Sequence, residues 1–144
     1  MLIFRFLIVV TSFVLSTSIL AQETIIKVHV TGIRSSKGNL AIGIYKDQAT
    51  FGDRNPYYER KVSKQGMKNG NLSFDVKLPE GVYGVTLLDD ENVNGKCDYG
   101  FILPNEGFGF SDYFHTGILP PRFKDFKFDL GDITKEVVVK VKYY

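Results

Sequence analysis

Apolar and polar residues alternate at every second position along most of this chain, and this period constrains the fold more than any other feature of the sequence. Five runs carry the pattern: 26–30, 40–44, 72–78, 126–130 and 137–141. Successive side chains of a β-strand point to opposite faces, so each run predicts a strand with one buried face. Helical periodicity is nearly absent.

Turn-forming residues separate several of these runs. Ser35–Asn39 lies between the first two runs, and Pro79–Gly81 lies between 72–78 and the apolar stretch 82–88. Gly, Asn and Pro favour tight turns, so each segment predicts a hairpin between the strands that it joins. Short strands with turns between them predict an all-β fold, a single Greek-key-type β-sandwich of about seven strands.

Two further predictions depend on weaker signals. The polar segment 50–70 carries Pro56 and two glycines, and it predicts one strand near Tyr58 to Ser63. Lysines at 135, 140 and 142 accompany the last run. Lysine on a strand discourages pairing with other chains, so the last strand is predicted at a sheet edge.

The first residues have the pattern of an export signal. Arg5 precedes an apolar stretch from Phe6 to Leu15, and small residues follow up to Ala21. We therefore predict a signal peptide at 1–21 and one mature domain at 22–144. Polar residues interrupt the stretch before the roughly 20 apolar residues that a membrane-spanning helix needs. The mature chain is predicted to be exported, either periplasmic or secreted, without a membrane span.

The net charge of the chain is small, +2, with 18 Lys and Arg against 16 Asp and Glu. A nucleic-acid surface needs a clustered basic excess, so no nucleic-acid partner is predicted. Cys97 is the single cysteine and cannot form a disulfide within the chain. It is predicted to be a small apolar side chain.

The densest group of candidate ligand atoms lies in 89–98, where four carboxylates accompany one lysine. Calcium takes six to eight oxygen ligands, often from side chains at alternate positions and from a backbone carbonyl that follows a glycine. The candidate metal ligands are the side chains of Asp90, Asn92, Asn94, Asp98 and Glu106 and the carbonyl of Lys96. Calcium is the one cofactor that this pattern indicates.

Two features separate this segment from an EF-hand. The twelfth position, counted from Asp90, is Phe101 where an EF-hand has Glu, and no flanking helices are predicted. The alternative is a loop without metal, with a type I′ turn at Asn94–Gly95 and with Asp and Asn side chains that accept hydrogen bonds from nearby backbone N–H groups. The sequence leaves both open, and a contact between Glu106 and Asp90 would favour the cation site.

Nine aromatic residues are concentrated between Tyr99 and Phe128. Phe108, Phe110 and Tyr113 are candidate ligand-binding residues, because aromatic rings bind sugars and apolar surfaces. The alternative is that these rings are buried and cover one end of the sandwich.

Three segments together resemble one family of exported bacterial proteins: Leu78–Val85, Asp90–Asp98 and Pro104–Ser111. This family is the domain of unknown function 2141, and the resemblance extends from about Thr24 to Tyr144. The chain has Asp89 and Cys97 where the family pattern often has His and Leu. The resemblance implies an exported domain with a transthyretin-like or carboxypeptidase-regulatory-like β-sandwich, and it implies no particular activity.

No catalytic residue is predicted. Ser111, Asp112 and His115 are close in sequence, but a serine triad is a spatial arrangement, and no nucleophile motif accompanies them. The leading hypothesis is a non-enzymatic binding or structural module of the bacterial envelope, with an unidentified envelope or extracellular partner such as a glycan. The alternative is a carbohydrate-active hydrolase that uses the loop carboxylates.

Overall fold

The computed structural model describes residues 22–95 and 105–144, which form eight strands and two short helices. The strands are β1 (Glu23–Thr31), β2 (Asn39–Tyr45), β3 (Tyr58–Ser63), β4 (Leu72–Pro79), β5 (Gly81–Asp90), β6 (Gly107–Phe110), β7 (Lys127–Leu130) and β8 (Lys135–Lys140). The helices are α1 (Gln48–Gly52) and α2 (Phe123–Phe126). The predicted all-β class is confirmed, and the predicted signal peptide lies outside the described residues.

The strands form two sheets. The first has the order β4-β1-β8, in which β1 pairs antiparallel with β4 and parallel with β8. The second has the order β3-β2-β5-β6, and β7 pairs with the other half of β5. Both α1 and α2 are much too short to cross a membrane, and no other helix is found in the ranges given above.

One apolar core lies between the two sheets. Every strand except β6 contributes buried side chains to it, and β1 contributes the alternate residues Ile26, Val28 and Val30. The facing side chains from the second sheet include Leu40, Ile42 and Leu87. A sandwich-like arrangement follows, because both sheets place one row of apolar side chains against the other.

Both predicted hairpins are wrong. β1 and β2 lie in different sheets, and so do β4 and β5. Only Glu80 separates β4 from β5, and the chain changes sheets there. Tyr83 is fully buried, and its hydroxyl donates a hydrogen bond of 2.9 Å to the carbonyl of Pro79, which stabilises this corner. Alternation determines which face of a strand is buried, but it does not determine the neighbouring strand.

The two weaker strand predictions are confirmed. β3 spans the predicted residues, and β8, which carries Lys135 and Lys140, lies at one end of the three-stranded sheet. The edge of β8 is partly covered by the chain around β6, through bridges from Ser111 to Val139 and from Phe108 to Lys142.

Glycines allow β6 to approach β8 closely. A methyl group on Gly109 would lie 2.6 Å from Cγ1 of Val139 and 2.9 Å from the carbonyl oxygen of Lys140. Gly107 is similarly close to Val141 and Tyr143. The buried face of β6 is therefore formed by glycines, and the two sheets meet along this side.

Candidate functional site

Four acidic residues lie at the end of β5 and in the chain that returns to β6. We call Asp89, Asp90, Glu91 and Glu106 the acidic end. Asp89, Asp90 and Glu106 are buried, with at most 4% of their surface exposed, and Glu91 is partly buried. Buried carboxylates need charge partners or hydrogen-bond donors to offset the loss of hydration.

Asp89 forms a buried ion pair with Lys64, which lies just after β3. The ammonium group of Lys64 also donates to the carbonyl oxygens of Ser35, at 3.1 Å, and Lys37, at 2.5 Å. The second carboxylate oxygen of Asp89 accepts a hydrogen bond of 2.5 Å from Tyr143. Burial, followed by this hydrogen bond, raises the pKa of the Tyr143 hydroxyl above its usual value.

Glu91 is held by Arg34 through two hydrogen bonds of 3.1 and 2.6 Å. Ser35 donates a further bond of 2.6 Å to the same carboxylate. The hydrogen bond from Arg34 is the main reason that the pKa of Glu91 falls to about 2. Arg34 also lies over the ring of Tyr143, at 4.4 Å from its centroid, so the two charge networks share one aromatic residue.

Asp90 differs from its two neighbours because its donors are backbone groups. Its carboxylate accepts hydrogen bonds from the N–H of Asn94, at 3.0 Å, and of Gly95, at 2.7 Å. Asn92 also accepts from the N–H of Asn94, at 3.1 Å. Within residues 22–95 and 105–144, Asp90 forms no ion pair with a lysine or arginine.

The predicted type I′ turn at Asn94–Gly95 is wrong. Both of its central residues would need a positive φ, and Asn94 does not have one. The positive values in this loop are at Val93, with φ 61°, and at Gly95, with φ 72°. A β-branched residue rarely adopts this conformation, which costs about 1 kcal/mol or more. The left-handed turn at Val93 instead directs the next backbone N–H groups toward Asp90.

Glu106 immediately precedes β6. The last pair of the β5–β6 ladder is Asp89 with Gly107, and this register, continued by one residue, places Glu106 beside Asp90. Neighbouring residues of an antiparallel pair lie about 4.5–5.5 Å apart. The register therefore predicts that these two residues are neighbours at the start of the loop.

Two of the six predicted metal ligands, Lys96 and Asp98, lie outside the described residues, as does Cys97. Among the residues that are described, no three His, Cys, Asp or Glu side chains are close enough to hold a metal ion together. A calcium site would therefore need the amide oxygens of Asn92 and Asn94 and the carboxylate of Asp98 in addition to Asp90 and Glu106.

The aromatic candidates form a packed group around His115. Phe108, Phe110 and Tyr113 are each partly buried, and their ring centroids lie 6.4, 6.0 and 5.9 Å from the imidazole. Phe110 also contacts the ring of Phe126, at 5.1 Å, in a second apolar cluster beside the main core. These contacts favour a packing role for Phe110, while ligand binding by the three rings stays a prediction.

Ser111 and Asp112 are engaged by the backbone. Ser111 is buried, donates a hydrogen bond of 2.6 Å to the carbonyl of Phe126 and accepts one of 2.9 Å from the N–H of Val85. Asp112 accepts a bond of 2.8 Å from the N–H of Val138. Ser111 therefore ties the end of β6 to β5 and α2, and Asp112 ties the same segment to β8.

Sequence reasoning missed Lys64, Arg34 and Tyr143 as partners of the acidic end. A signal was present for two of them. Lys64 follows the buried Val62 by two positions, and Tyr143 follows the buried Val141 by two positions, so both continue an inward-facing row. A charged or polar residue at an inward position predicts a buried polar network. Arg34 lies in a loop and had no such signal.

The model of one bacterial family matches residues 28–138, which is most of the chain. No curated protein and no solved structure matches the chain significantly. The match includes β5, the acidic loop and β6, so the geometry described above lies within the matched region. The chain belongs to the family described as "uncharacterized protein conserved in bacteria" (DUF2141).

Proposed function

We propose that this chain is an exported, non-enzymatic module of the bacterial envelope, and that its acidic loop is stabilised by calcium. The module binds or supports an envelope or extracellular partner. The observation that carries the calcium part of the proposal is the state of Asp90, whose carboxylate is buried and has backbone donors as its partners.

The charge balance around Asp90 favours a cation. Lys64 compensates Asp89, and Arg34 compensates Glu91. Among the described residues no lysine or arginine forms an ion pair with Asp90, and strand register brings Glu106 beside it. A divalent cation would compensate the buried charge of Asp90 and would take Glu106 as a second ligand.

The donor set suits a hard cation. Asp90, Asn92 and Asn94 supply oxygen atoms at alternate positions, and Lys96, Asp98 and Glu106 add a carbonyl and two carboxylates. The two hydrogen bonds to Asp90 use part of the acceptor capacity of its carboxylate, which has about four lone-pair sites. Bound calcium would link the start of the loop to its return at β6.

The non-enzymatic part of the proposal is supported by the contacts of the residues that are closest to a catalytic pattern. Ser111 uses its hydroxyl as both donor and acceptor within the fold, and Asp112 accepts from a backbone N–H. A nucleophile or a base must instead meet a substrate.

Thermal unfolding with calcium and with chelator tests the calcium site. Extracellular calcium modules have dissociation constants of about 0.1–1 mM, so 10 mM calcium gives about 1.4 kcal/mol or more of stabilisation. For a domain of this size, that is a rise in Tm of about 5 °C. The rise is expected in the wild type and absent in Asp90→Asn, which keeps the shape of the side chain.

Asp75→Asn is the matched control, because Asp75 is an exposed residue of β4. Its calcium response should equal that of the wild type. An equal response in Asp90→Asn, or no response in the wild type, would leave Asp90 as the cap of a metal-free loop.

Export is tested separately by isolating the protein from cell fractions and sequencing its N-terminus. Export predicts a mature chain that begins at Gln22 in the periplasm or the medium. A cytoplasmic protein that still carries residues 1–21 would contradict this part of the proposal.

A further inference from the structure

Two neighbouring aliphatic side chains protrude from the loop between β6 and α2. Ile118 is 77% exposed and Leu119 is 79% exposed, the highest values among the large apolar side chains of the described residues. Phe114, in the same loop, is 46% exposed. Single exposed apolar residues are common on protein surfaces, but a pair at one loop tip indicates a contact surface.

The base of this loop is fixed by specific contacts. Tyr144 donates a hydrogen bond of 2.7 Å to the carbonyl of Gly117, immediately before the aliphatic pair. The ring of His115 packs against Phe108 and Phe110. The aliphatic pair is thus presented by an anchored loop.

Cationic side chains lie near both ends of the loop. On one side, Lys140 lies over the ring of Phe114, at 4.8 Å, and Lys142 lies over the ring of Tyr144, at 4.1 Å. On the other side, an open groove of about 520 Å³ begins at the end of the loop. Its cationic lining residues are Lys46, Arg122, Lys124 and Lys127.

Three carboxylates near the loop and the groove accept hydrogen bonds from backbone N–H groups. Asp112 accepts from the N–H of Val138, Asp125 from that of Arg122 and Asp47 from that of Thr50, each at 2.8 Å. Among the described residues none of these three carboxylates forms an ion pair with the surrounding lysines. Lys142 also donates to the hydroxyl of Tyr144 and Lys46 lies over the ring of Tyr57, but these neutral partners leave the positive charges uncompensated.

We propose that the 118–119 tip and its surrounding lysines and arginine dock the protein on an anionic lipid surface. Aliphatic side chains enter the boundary between headgroups and acyl chains, and cations beside them contact the anionic headgroups. The charge complementarity favours a lipid surface over a symmetric contact with a second copy of this chain, which would place the same cations against each other. This inference goes beyond the proposed function and needs no calcium.

A local fluorescence reporter tests the docking. The chain has no tryptophan, so Leu119→Trp provides a single reporter at the tip. With phosphatidylglycerol vesicles in EDTA, its emission should shift to the blue and be quenched by lipids brominated on their acyl chains. Partitioning should be at least tenfold weaker on phosphatidylcholine vesicles and should weaken as salt is raised. The readout is local to residue 119, so the apolar N-terminal residues do not generate it.

Two controls make the result specific. Ile133→Trp places the same reporter on an equally prominent aliphatic position, 76% exposed, in the turn between β7 and β8, and it should not be quenched. Adding Lys124→Gln and Lys127→Gln to Leu119→Trp should weaken partitioning by about tenfold or more. Adding Lys61→Gln and Lys77→Gln, on exposed positions of β3 and β4, should change it less than twofold.

Three outcomes would overturn the proposal. The first is no quenching of Leu119→Trp on anionic vesicles, and the second is equal quenching of Ile133→Trp. The third is self-association without lipid, measured by sedimentation, that is lost in Ile118→Ser/Leu119→Ser, because the occupant of the surface would then be a second copy. Because EDTA is present throughout, failure of the calcium site has no influence on this test.

Discussion

The hydroxyl of Tyr143 donates a hydrogen bond of 2.5 Å to Asp89, a fully buried carboxylate 54 residues earlier in the chain. The same oxygen of Tyr143 accepts a bond of 3.1 Å from the N–H of Arg34. One phenol therefore joins the end of β5, the loop after β1 and the segment after β8. Lys64 compensates the negative charge of Asp89, and Tyr143 donates a hydrogen bond to the other oxygen of the same carboxylate.

Tyr143→Phe should destabilise the protein by about 1–3 kcal/mol, because it leaves a buried carboxylate oxygen without its donor. The free energy of unfolding in urea measures the loss. Tyr57→Phe is the control, since that tyrosine is 49% exposed, and its change should stay within about 0.5 kcal/mol. Equal losses in the two variants would contradict the importance of the Asp89 contact.

Stability should depend on pH through Glu91. Its folded-state pKa is about 2, below the ordinary value of 4.5, so the unfolded chain binds the proton more readily. The contribution of Glu91 is fully present above pH 4.5 and is lost as the pH falls from 4.5 toward 2. Urea unfolding across this range should show a shallower acid loss in Glu91→Gln than in the wild type.

Glu59→Gln is the control for this pH series, because Glu59 is exposed on β3 and removes one carboxylate without touching Arg34. The difference between the two variants isolates the Arg34 contact. Parallel pH curves for Glu91→Gln and the wild type would contradict the assignment.

Gly38→Ala should be strongly destabilising. Gly38 has a φ of 69°, and an added methyl group would collide with the carbonyl oxygen of Asp90 and lie 2.6 Å from Cα of Glu91. Gly66 has a similar φ of 84° but open space around it. Gly66→Ala should cost about 1 kcal/mol from backbone strain, and Gly38→Ala should cost roughly 2 kcal/mol more from overpacking. Similar losses in thermal or urea unfolding would show that strain alone is involved.

The alternation of apolar and polar residues predicted most of the strands but not which strands pair with each other. The weaker prediction of a strand near Tyr58 to Ser63, in a polar segment without clear alternation, is also confirmed as β3. Alternation failed on pairing, because it is a property of one strand whereas pairing depends on packing between strands. The crossing at Glu80 shows the difficulty, since a short turn joins two sheets there instead of two neighbouring strands.

The candidate site was predictable in its local part. The spacing of Asp90, Asn92 and Asn94 indicated a compact loop, and Asp90 does accept hydrogen bonds from that loop. The charges that compensate its neighbours come from Arg34 and Lys64, which are distant in sequence and are brought near by the sandwich. Their partners follow from the three-dimensional fold, so local spacing could not assign them.

β1 is the central strand of the three-stranded sheet, and one of its partners arrives very late. β8 pairs with it from Lys135, opposite Ile26, more than a hundred residues further along the chain. Contacts between such distant residues slow folding, because a long loop must close before they form. During synthesis, one side of β1 keeps unpaired backbone groups until 137–139 emerge. Aggregation through that open strand edge would therefore compete with folding for almost the whole time that the chain is being made.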